Sequence, residues 1–448
     1  MAPEQLTETI SPTQTPTHQL EYDYDLAIVG GGIIGLTLAC ALKDSGLSVV
    51  LIEAKPYSVA AAKGQAYAVH LLTRRIFEGI GIWDQVLPQI ATFRQVRLSD
   101  ADHPNLVEFQ PADLGTEALG YVAEHQALLA PLQEFLQECA NVSYLCPAEV
   151  VKTKYEPDGV EIEVRVGEAK SEARTGQDFP ERQSPGQSTL PLYCRTESRT
   201  IRTRLIVAAD GARSRIRNWA GIRTRGWQYW QSCIVAFVKP EQPHNDTAYE
   251  RFWPSGPFAI LPLPGNRCRI VWTAPHEEAK ALVALDDEQF LAELSRRYGD
   301  QMGRLELEGD RFVFSVQLMQ SDHYVLPRLA LIGDAAHCCH PVGGQGLNMG
   351  IRDAAALAQV LHSAHQLGED IGDLPVLKRY ERWRKQENLT ILGFTDFLDR
   401  MFSNNWLPLI VVRRFGLWML QRVRPLKIFA LKLMTGLRGR PPQIAQRS

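Results

Sequence analysis

The segment YDLAIVGGGIIG, residues 24–35, decides the fold of this chain. Six mostly apolar residues, Tyr24–Val29, have the composition of a buried strand, and a glycine-rich turn follows them. The helical stretch Leu36–Lys43 and a second apolar strand, Ser48–Ile52, come next, and that strand runs into Glu53. The order strand, glycine turn, helix, strand is typical of the βαβ unit of a dinucleotide-binding domain. We therefore predict an α/β fold with a Rossmann-like domain.

Four residues of this unit are candidates for binding a cofactor. Gly30 permits the tight turn, Gly32 lets backbone N–H groups approach a pyrophosphate, and Gly35 allows the helix to pack closely on the strand. The phosphates would then lie at the helix N-terminus, where unpaired N–H groups and the helix dipole favour negative charge. Glu53 is suited to accept hydrogen bonds from ribose hydroxyls. An acidic residue at this place favours FAD or NAD over NADP.

Two later aspartates follow predicted strands in the same way. Asp210 opens the motif Asp-Gly-Ala-x-Ser-x-x-Arg after the strand Leu205–Ala208, and it either contributes to the cofactor site or caps the helix that follows. Asp334 follows Gly333 at the end of a strand near Leu329–Ile332. A carboxylate at a strand end can bind the vicinal hydroxyl groups of a polyol, so Asp334 is a further candidate for binding the cofactor.

The run from His340 to Gly350 is rich in glycine. Its four glycines let the backbone approach a large, flat ligand, and a helix N-terminus at Gln345–Leu347 would stabilise negative charge on a bound ring. The sequence His337-Cys-Cys-His340 just before it is a poor metal site, because adjacent residues do not easily converge on one tetrahedral ion. We therefore predict no metal.

The order of these motifs predicts two interleaved domains. A discontinuous dinucleotide-binding domain is expected at 23–100, 120–160, 200–225 and 325–370. A substrate-binding β-sheet domain is expected at 101–119 and 226–324, because alternating and β-branched segments follow one another there. Residues 371–448 are expected to form C-terminal helices, with boundaries at Leu377–Phe402, Leu407–Val423 and Lys427–Thr435. We interpret residues 1–22 as a disordered leader and residues 167–198 as a flexible insertion.

Composition and charge narrow the class of protein. The 448 residues are 45% hydrophobic and 22% charged, as in ordinary globular proteins. Their longest apolar runs are far shorter than the ~18–20 residues of a membrane span. Eight irregularly spaced cysteines form no obvious disulfide framework and indicate reduced thiols in a cytoplasmic protein. The net charge is −3, yet the segment from Arg400 to Ser448 contains ten Lys and Arg and no acidic residue. This basic tail indicates an anionic partner, either a membrane surface or nucleic acid.

Taken together, the motifs resemble those of the group A flavoprotein aromatic hydroxylases, whose fold is that of p-hydroxybenzoate hydroxylase. The similarity is greatest to the UbiH-type hydroxylases of quinone biosynthesis and extends from about residue 23 to residue 442, without the insertion. It includes the glycine turn with its acidic residue, the Asp-Gly motif and the Gly-Asp motif. It also includes Gly120-Tyr-Val-x-Glu-His125, Gly256-Pro-Phe-Ala-Ile-Leu-Pro-Leu263, Val271-Trp-Thr273 and His340-Pro-x-Gly-Gly-Gln-Gly-x-Asn-x-Gly350.

This resemblance implies a cofactor and a reaction. FAD would be reduced by an external donor, NAD(P)H or a ferredoxin-type reductase, and would react with O2 to give a flavin C4a-hydroperoxide. That species would hydroxylate the aromatic ring of a lipophilic, prenylated phenol or quinone precursor in quinone biosynthesis.

The resemblance also implies roles for individual residues. The ADP half of FAD would be held by Gly30, Gly32, Gly35 and Glu53, with Asp210 contributing to the same site and Asp334 holding the ribitol. The isoalloxazine ring would be faced by Gly343, Gly346, Leu347 and Asn348, and its reacting face would be positioned by Pro341, Gly344 and Gln345. The strands of Ser232–Thr273 would form a roof over the substrate, with Trp253, Phe258 and Trp272 as candidate wall residues. Two positions depart from the family pattern: Gln65 stands where arginine is usual, and Gly343 replaces the commoner alanine.

Several alternatives stay open at the level of the sequence. The same scaffold would suit an FAD-dependent reductase of an isoprenoid or other lipophilic substrate, or a non-enzymatic flavin-binding scaffold with a basic tail. The flavin motifs favour the hydroxylase. We therefore predict no nucleic-acid partner for the basic tail. His70 and His340 are either bases for a phenol or structural histidines. The tail helices either lie on an anionic membrane surface, which makes the protein peripheral, or pack on the body.

Overall fold

The computed structural model describes residues 22–56, 65–101, 103, 106–167, 196–299 and 301–446, and two large sheets organise them. The first sheet has a parallel centre made of β1 (Tyr24–Val29), β2 (Val49–Ile52), β8 (Val142–Leu145), β11 (Thr196–Ala208) and β18 (Leu329–Leu331). Its antiparallel edges are β9 (Ala148–Tyr155), β10 (Val160–Gly167) and β17 (Val325–Leu326). Its helices are α1 (Ile33–Ala41), α4 (His125–Leu136) and α8 (Gln345–Gln366), and α1 contacts both of the others. The strands β2 and β18 and the segment Leu205–Ala208 of β11 are apolar because both of their faces are buried.

The second sheet has eight strands in the order β19-β16-β12-β15-β14-β13-β5-β6. All neighbours are antiparallel except β13 and β5. The strands are β5 (Gln95–Asp100), β6 (Leu106–Phe109), β12 (Thr224–Pro240), β13 (Thr247–Trp253), β14 (Gly256–Leu263), β15 (Arg267–Pro275), β16 (Leu305–Ser321) and β19 (His337–Cys338). Helices α6 (His276–Ala284) and α7 (Asp287–Tyr298) cover one of its faces and bury an apolar core there.

Smaller elements connect the two sheets. A three-stranded sheet has the order β3-β7-β4, with strands Ala66–Val69, Gly120–Glu124 and Ala91–Phe93. The short helices are α2 (Leu71–Ile80), α3 (Trp83–Val86) and α5 (Arg215–Trp219), and the 3-10 segments are Leu87–Gln89, Pro111–Asp113, Gly333–Ala335, Val342–Gly344 and Gln443–Gln446. The Val342–Gly344 segment leads directly into α8, so the glycine-rich run of the sequence becomes a turn followed by a long helix.

Three helices follow the second sheet, namely α9 (Leu374–Phe402), α10 (Leu407–Arg422) and α11 (Arg424–Met434). A buried ion pair anchors α10, because Arg413 lies 2.9 Å from Asp100 at the end of β5. Arg414 approaches the other oxygen of Asp100 at 2.9 Å, and Lys427 of α11 lies 2.8 Å from Asp113. Within the described parts of the chain, no helix has the length and apolar character needed to cross a membrane.

The predicted fold class is confirmed: a parallel sheet with a glycine turn, a second β-sheet and C-terminal helices. The predicted helix boundaries in the tail agree with the observed ones to within three residues. The division into domains stays a prediction. The sheets differ from it at residues 95–100 and 337–338, because β5 and β19 belong to the second sheet. The ends of the predicted insertion, Gly167 and Thr196, are paired strand residues. The rest of the insertion, 168–195, and leader residues 1–21 lie outside the described residues.

Candidate functional site

The glycine turn between β1 and α1 leaves an open space at the start of the helix. A Cβ atom at Gly30 would overlap the carbonyl oxygen of Ala209, and one at Gly35 would overlap that of Gly30, so close packing requires glycine at both positions. A Cβ atom at Gly32 would meet no atom within 4 Å. The first turn of α1 has no side-chain cap and no acidic residue. Its unpaired N–H groups therefore open onto a space that fits a diphosphate.

Glu53 is fixed beside this turn by two backbone N–H groups. Its Oε2 accepts a hydrogen bond from the N–H of Gly31 at 2.6 Å, and its Oε1 accepts one from Lys55 at 2.8 Å. Each carboxylate oxygen keeps a further lone pair, and the side chain is only half-buried. The geometry fits the predicted contact with a ribose, and it also gives Glu53 a role in holding the turn.

Asp210 acts as a helix cap. Its Oδ2 accepts hydrogen bonds from the N–H groups of Arg215 at 2.8 Å and Ile216 at 3.3 Å, at the start of α5. Arg217 then reaches back and donates to the carbonyl oxygen of Ala335 at 3.0 Å. Of the two roles that the sequence left open for Asp210, the structure shows the cap. The motif therefore supports the Gly333–Ala335 turn through Arg217.

Asp334 lies at the same end of the first sheet as the glycine turn, where the parallel strands have their carboxyl ends. It follows β18, its side chain is exposed, and the preceding Gly333 packs against Ile34 in the first turn of α1. The carboxyl ends of the parallel strands β1, β2 and β18 thus bring Glu53, Asp334 and the start of α1 to one edge. Ligands of open α/β sheets bind at such an edge.

A buried polar network, which we did not predict, holds the Asp334 turn in place. Asp353 of α8 accepts hydrogen bonds from the N–H of Gly333 at 3.1 Å, from Arg384 at 2.9 Å and from Asn388 at 3.0 Å, and it pairs with His337. Burial alone would raise the pKa of Asp353, but the neighbouring His337 and Arg384 hold it well below its usual range. The signal in the sequence was a carboxylate on an otherwise apolar stretch of α8, which requires a buried partner.

The turn before α8 also has the shape of a ligand cradle. Gly343 and Gly344 have consecutive left-handed conformations, with φ of 66° and 60°, which favour glycine strongly. A Cβ atom at Gly346 would find its nearest neighbour, Cys339 Sγ, only at 3.9 Å. α8 starts without a side-chain cap or an acidic residue in its first turn, so the N–H groups near Leu347 are free for an anionic ring system. These residues fit the isoalloxazine ring of FAD.

Asn348 has a different role from the predicted contact with the cofactor. Its Nδ2 donates to the carbonyl oxygens of Ala68 at 2.8 Å and Gly344 at 2.7 Å. Its Oδ1 accepts from the N–H of His70 at 2.9 Å and the hydroxyl of Thr73 at 2.7 Å. These four bonds use the whole hydrogen-bonding capacity of the amide. Asn348 therefore positions the turn, and its side chain has no bond left for a ligand.

Gln345 and Gly343 join the turn to the C-terminal helices. The buried amide of Gln345 donates to the carbonyl oxygen of Met434 at 3.1 Å and accepts from Arg352 at 3.4 Å. The side chain of Met434 occupies the space that a methyl group at residue 343 would need, which explains the departure from the family's alanine. The predicted role of Gln345 at the reacting face is thus an indirect one, whereas the partly accessible Pro341 and Gly344 stay candidates for direct contact.

Both candidate histidines have the surroundings of structural residues. His70 is buried and contacts the carbonyl oxygen of Gly343 at 3.1 Å. His340 is fully buried, accepts from the N–H of Val342 at 3.3 Å and packs edge-on against Tyr229. Burial lowers the pKa of each imidazole to about 3, so both are neutral at physiological pH. The structural alternative is therefore favoured for both.

The candidate wall residues Trp253, Phe258 and Trp272 are instead ordinary core residues, because their side chains point away from the turn. Trp272 packs against Phe258 and Phe290, in the core beneath α6 and α7, and Trp253 packs on the same cluster. The opposite face of the sheet carries the cluster of Tyr229, Cys233, Val235 and Val316, with Val271 packed against it. Tyr229 touches His340, so this aliphatic face is the one directed to the glycine-rich turn.

Two phenylalanines extend this aliphatic face to the edge of the sheet. Phe314 pairs with Cys233, and Phe312 pairs with Val235, so both rings lie on the same face as their partners. Their side chains are 45% and 46% exposed. Large apolar rings beside a candidate site are suited to a lipophilic ligand. The strand pattern alone could not identify them, because it shows alternation without showing which face the helices cover.

Fold and site together define a flavoprotein, with a diphosphate site, a polyol carboxylate and a ring cradle on one edge of a parallel sheet. A family model described as an FAD binding domain matches residues 23–388, and the chain belongs to this family. The protein binds FAD and is an FAD-dependent monooxygenase, so the predicted resemblance to the group A flavoprotein hydroxylases is confirmed.

Several relatives align over nearly the whole chain. An uncharacterized protein, slr1300 of Synechocystis sp., is 49% identical and covers 94% of this chain and 95% of its own length. Ubiquinone hydroxylase UbiL of Rhodospirillum rubrum is 37% identical, with 94% and 92% covered. The 3-demethoxyubiquinol 3-hydroxylase of Escherichia coli is 32% identical, with 92% and 98% covered. Among solved structures, p-nitrophenol 4-monooxygenase PnpA of Pseudomonas putida has the same fold, with a TM-score of 0.73 at 18% identity over 93% of this chain and 98% of its own.

Proposed function

We propose that this FAD-dependent monooxygenase hydroxylates the aromatic ring of a lipophilic, prenylated phenol or quinone precursor in quinone biosynthesis. The observation that carries the proposal is the aliphatic face of the second sheet, from Tyr229 to Val316, which is directed to the cradle for the flavin ring. Two named relatives act on ubiquinone or demethoxyubiquinol by their names, and they align with the sheet as well as with the FAD-binding part.

The chain's own residues have defined tasks in this reaction. FAD, once reduced, activates O2 so that one oxygen atom enters the ring while the other leaves as water. The free N–H groups at the start of α1 bind the diphosphate, and those at the start of α8 stabilise negative charge on the flavin ring. The aliphatic sheet face holds the substrate ring and excludes water from the reacting atoms. Asp353 and Asn348 act at a distance, because they hold the two turns in shape.

The reaction needs two electrons from a donor. We propose that this donor is NAD(P)H or a ferredoxin-type reductase. An experiment distinguishes the two. Reduction of the bound flavin by NADH, NADPH and reduced ferredoxin, each measured anaerobically with and without a prenylated phenol, identifies which donor serves the enzyme.

We further propose that the tail attaches the enzyme peripherally to an anionic membrane surface. The outer side of α10 and α11 defines a tail surface of large apolar side chains between 40% and 72% exposed: Trp406, Leu407, Val411, Val412, Phe415, Trp418, Leu426 and Phe429. Four cations beside it are exposed and lack an ion pair with any described residue: Arg422, Arg424, Lys432 and Arg438. Apolar side chains with flanking cations suit the interface of an anionic bilayer.

The inner side of the same helices packs on the body, so both predicted roles of the tail coexist. Leu417 and Leu431 are buried in the core between the second sheet and the C-terminal helices. Of the ten tail cations, Arg400, Arg413, Arg414 and Lys427 are paired with carboxylates. The charge available to a membrane is therefore smaller than the sequence indicates.

Oxygen consumption tests the hydroxylase function directly. Holoenzyme with its donor is expected to consume O2 faster when an ortho-prenylated phenol is added, with one hydroxyl group gained per product molecule. Consumption of the donor with saturation of an isoprenoid double bond and no oxygen in the product would instead establish the reductase. Flavin that stays oxidised with every donor and substrate would support the non-enzymatic scaffold.

A further inference from the structure

A carboxyl group interrupts the aliphatic face of the second sheet. Glu250 lies on β13, directly opposite Ala259 of β14 and Leu98 of β5. Directly paired residues of neighbouring strands point to the same side of a sheet. Following the register outward on both sides gives one row of seven side chains on one face: Phe312, Val235, Val271, Ala259, Glu250, Leu98 and Val107. Glu250 is the one polar member of this row.

The row faces the flavin cradle and the C-terminal helices. The neighbours of Glu250 along its strand, Ala248 and Phe252, belong to the cluster that includes Val342, from the turn before α8, and Phe402 of α9. The rings of Phe252 and Phe402 are stacked at 4.0 Å. The side chain of Glu250 is therefore directed to the side of the sheet on which α9 and the cradle lie, and part of its surface is accessible.

Glu250 has no polar partner among the residues that the structure describes. No hydrogen bond or ion pair joins it to any of them, and burial alone raises its pKa to about 8. The thiol of Cys233, whose pKa burial raises to about 12, lies on the same face, and so does the guanidinium of Arg269, which stacks over Phe237. On α9, the carboxylate of Asp399 is engaged by Ser403. At neutral pH Glu250 is thus a protonated acid with a donor and an acceptor to offer.

The carboxyl oxygens of Glu250 are not among the buried polar atoms that lack a partner, so they stay accessible to a ligand. A ligand oxygen can take the place of water as their hydrogen-bond partner. Apolar binding sites commonly fix the orientation of a ligand with a few such polar groups.

We propose that Glu250 is a substrate-recognition residue, which forms a hydrogen bond with an oxygen substituent of the aromatic ring. This inference rests on the proposed function, because it requires an oxygenated aromatic substrate on the aliphatic face. The bond would fix the rotation of the ring in its plane and so select the carbon atom that meets the flavin.

The test compares two probes that differ only in the ring oxygen, ortho-prenylphenol and prenylbenzene. Their affinities for the holoenzyme are measured from the change in the absorption spectrum of bound FAD. The variants are Glu250→Leu, which removes the polar group, and Glu250→Gln, which keeps a donor and an acceptor in the same volume. Glu306→Gln, an exposed position on β16, is the control.

The wild-type enzyme is expected to prefer the phenol by about tenfold or more, since a site built for a hydroxyl group discriminates against its absence. Glu250→Leu should abolish this preference by weakening phenol binding alone. Glu250→Gln should retain it within about threefold, as a neutral hydrogen bond is kept. The control should match the wild type.

Three results would overturn the inference. The wild-type enzyme could bind both probes equally, or Glu250→Leu could still prefer the phenol. Glu250→Leu could also lose affinity equally for both probes, which indicates a merely structural role. Turnover is measured separately. A preference that depends on Glu250 without hydroxylation of the phenol would count against the proposed function while leaving the recognition of oxygen by Glu250 intact.

Discussion

The carboxylate of Asp353 accepts a hydrogen bond from the backbone N–H of Gly333 at 3.1 Å, which fixes the turn that carries Asp334. Asp353 lies in the middle of α8, whose first turn forms the cradle for the flavin ring. One helix therefore positions both the polyol carboxylate and the ring cradle. The partners of Asp353 extend this arrangement to α9 through Arg384 and Asn388.

We expect Asp353→Asn to lower the free energy of unfolding by about 3 kcal/mol, because it removes one of the two carboxylates paired with the buried guanidinium of Arg384. The variant should also lose FAD on dialysis, since the Asp334 turn is no longer held. Urea unfolding and the flavin absorbance of the dialysed protein measure the two effects. Asp373→Asn is the control, as Asp373 is an exposed carboxylate that is also paired with an arginine, Arg328. Equal behaviour of the two variants would show that the network does not stabilise the site.

Asp334→Ala should act on FAD affinity and leave stability unchanged, because the side chain is exposed. The expected loss is about 1–3 kcal/mol, as for a hydrogen bond to a charged acceptor. Apoprotein from acid precipitation, which should release the non-covalently bound FAD, is titrated with FAD in a calorimeter, and its melting temperature is recorded. Asp44→Ala, in the exposed turn after α1, is the control. A variant that binds FAD as tightly as the control would exclude Asp334 from the cofactor site.

Glu250 should make the stability of the protein depend on pH. Its pKa is about 8 in the folded state, above the ~4.3 of an unfolded glutamate, so the folded protein binds the extra proton between these values. Stability therefore falls as the pH rises through this window, by up to about 1.4 kcal/mol per pH unit. The glutamine of Glu250→Gln does not ionise and so makes no pH-dependent contribution to stability. The free energy of unfolding of this variant, relative to that of the wild type, should therefore rise between about pH 5 and pH 7.5.

Urea unfolding of the apoprotein at a series of pH values measures this difference. The curve of unfolding free energy against pH should be parallel for Glu306→Gln and the wild type, because that side chain is exposed on β16. Parallel curves for wild type and Glu250→Gln would mean that Glu250 is ionised in the folded protein, and its hydrogen-bond donor role would then fail.

The tail surface should bind anionic vesicles through its unpaired cations. Replacing Arg422, Arg424, Lys432 and Arg438 by Gln should remove roughly 1 kcal/mol of attraction per charge and so reduce flotation with vesicles containing phosphatidylglycerol at low salt. Raising the salt should reduce flotation of the wild type in the same direction. The control replaces four exposed cations of the body, Lys152, Arg165, Lys239 and Arg304. Equal flotation of all three proteins, or none by the wild type, would contradict attachment by the tail.

The sequence predicted what depends on local order and missed what depends on distant partners. The glycine turn and Glu53 belong to one continuous βαβ unit, residues 24–53, so their arrangement followed from their spacing. The tail helices were predicted because Arg and Lys alternate with Trp, Leu, Ile and Phe at roughly helical spacing from Leu407 to Leu437. By contrast, the partner of Arg413 is Asp100, more than 300 residues away, and no local pattern indicates such a pair.

The side to which a strand residue points was also beyond the sequence. Trp272 and Val271 are neighbours on β15, yet one lies beneath α6 and α7 and the other faces the flavin cradle. Alternation indicates that the two faces differ, but only the placement of the covering helices decides which face is left for a ligand. Asn348 illustrates the same limit, because its bonds go to β3 and α2 and not to the cofactor.

The central claim is the transfer of one atom of O2 to an aromatic ring, and isotope incorporation measures it most directly. Holoenzyme, its electron donor and the lipid-soluble phenols extracted from cells that lack this protein are incubated under isotopically labelled O2, and the products are analysed by mass spectrometry. We predict a new ring hydroxyl group that contains one labelled oxygen atom, in a molecule that keeps its prenyl chain unchanged. A product that gains hydrogen in its prenyl chain without labelled oxygen, or a hydroxyl group that carries oxygen from water, would contradict the account.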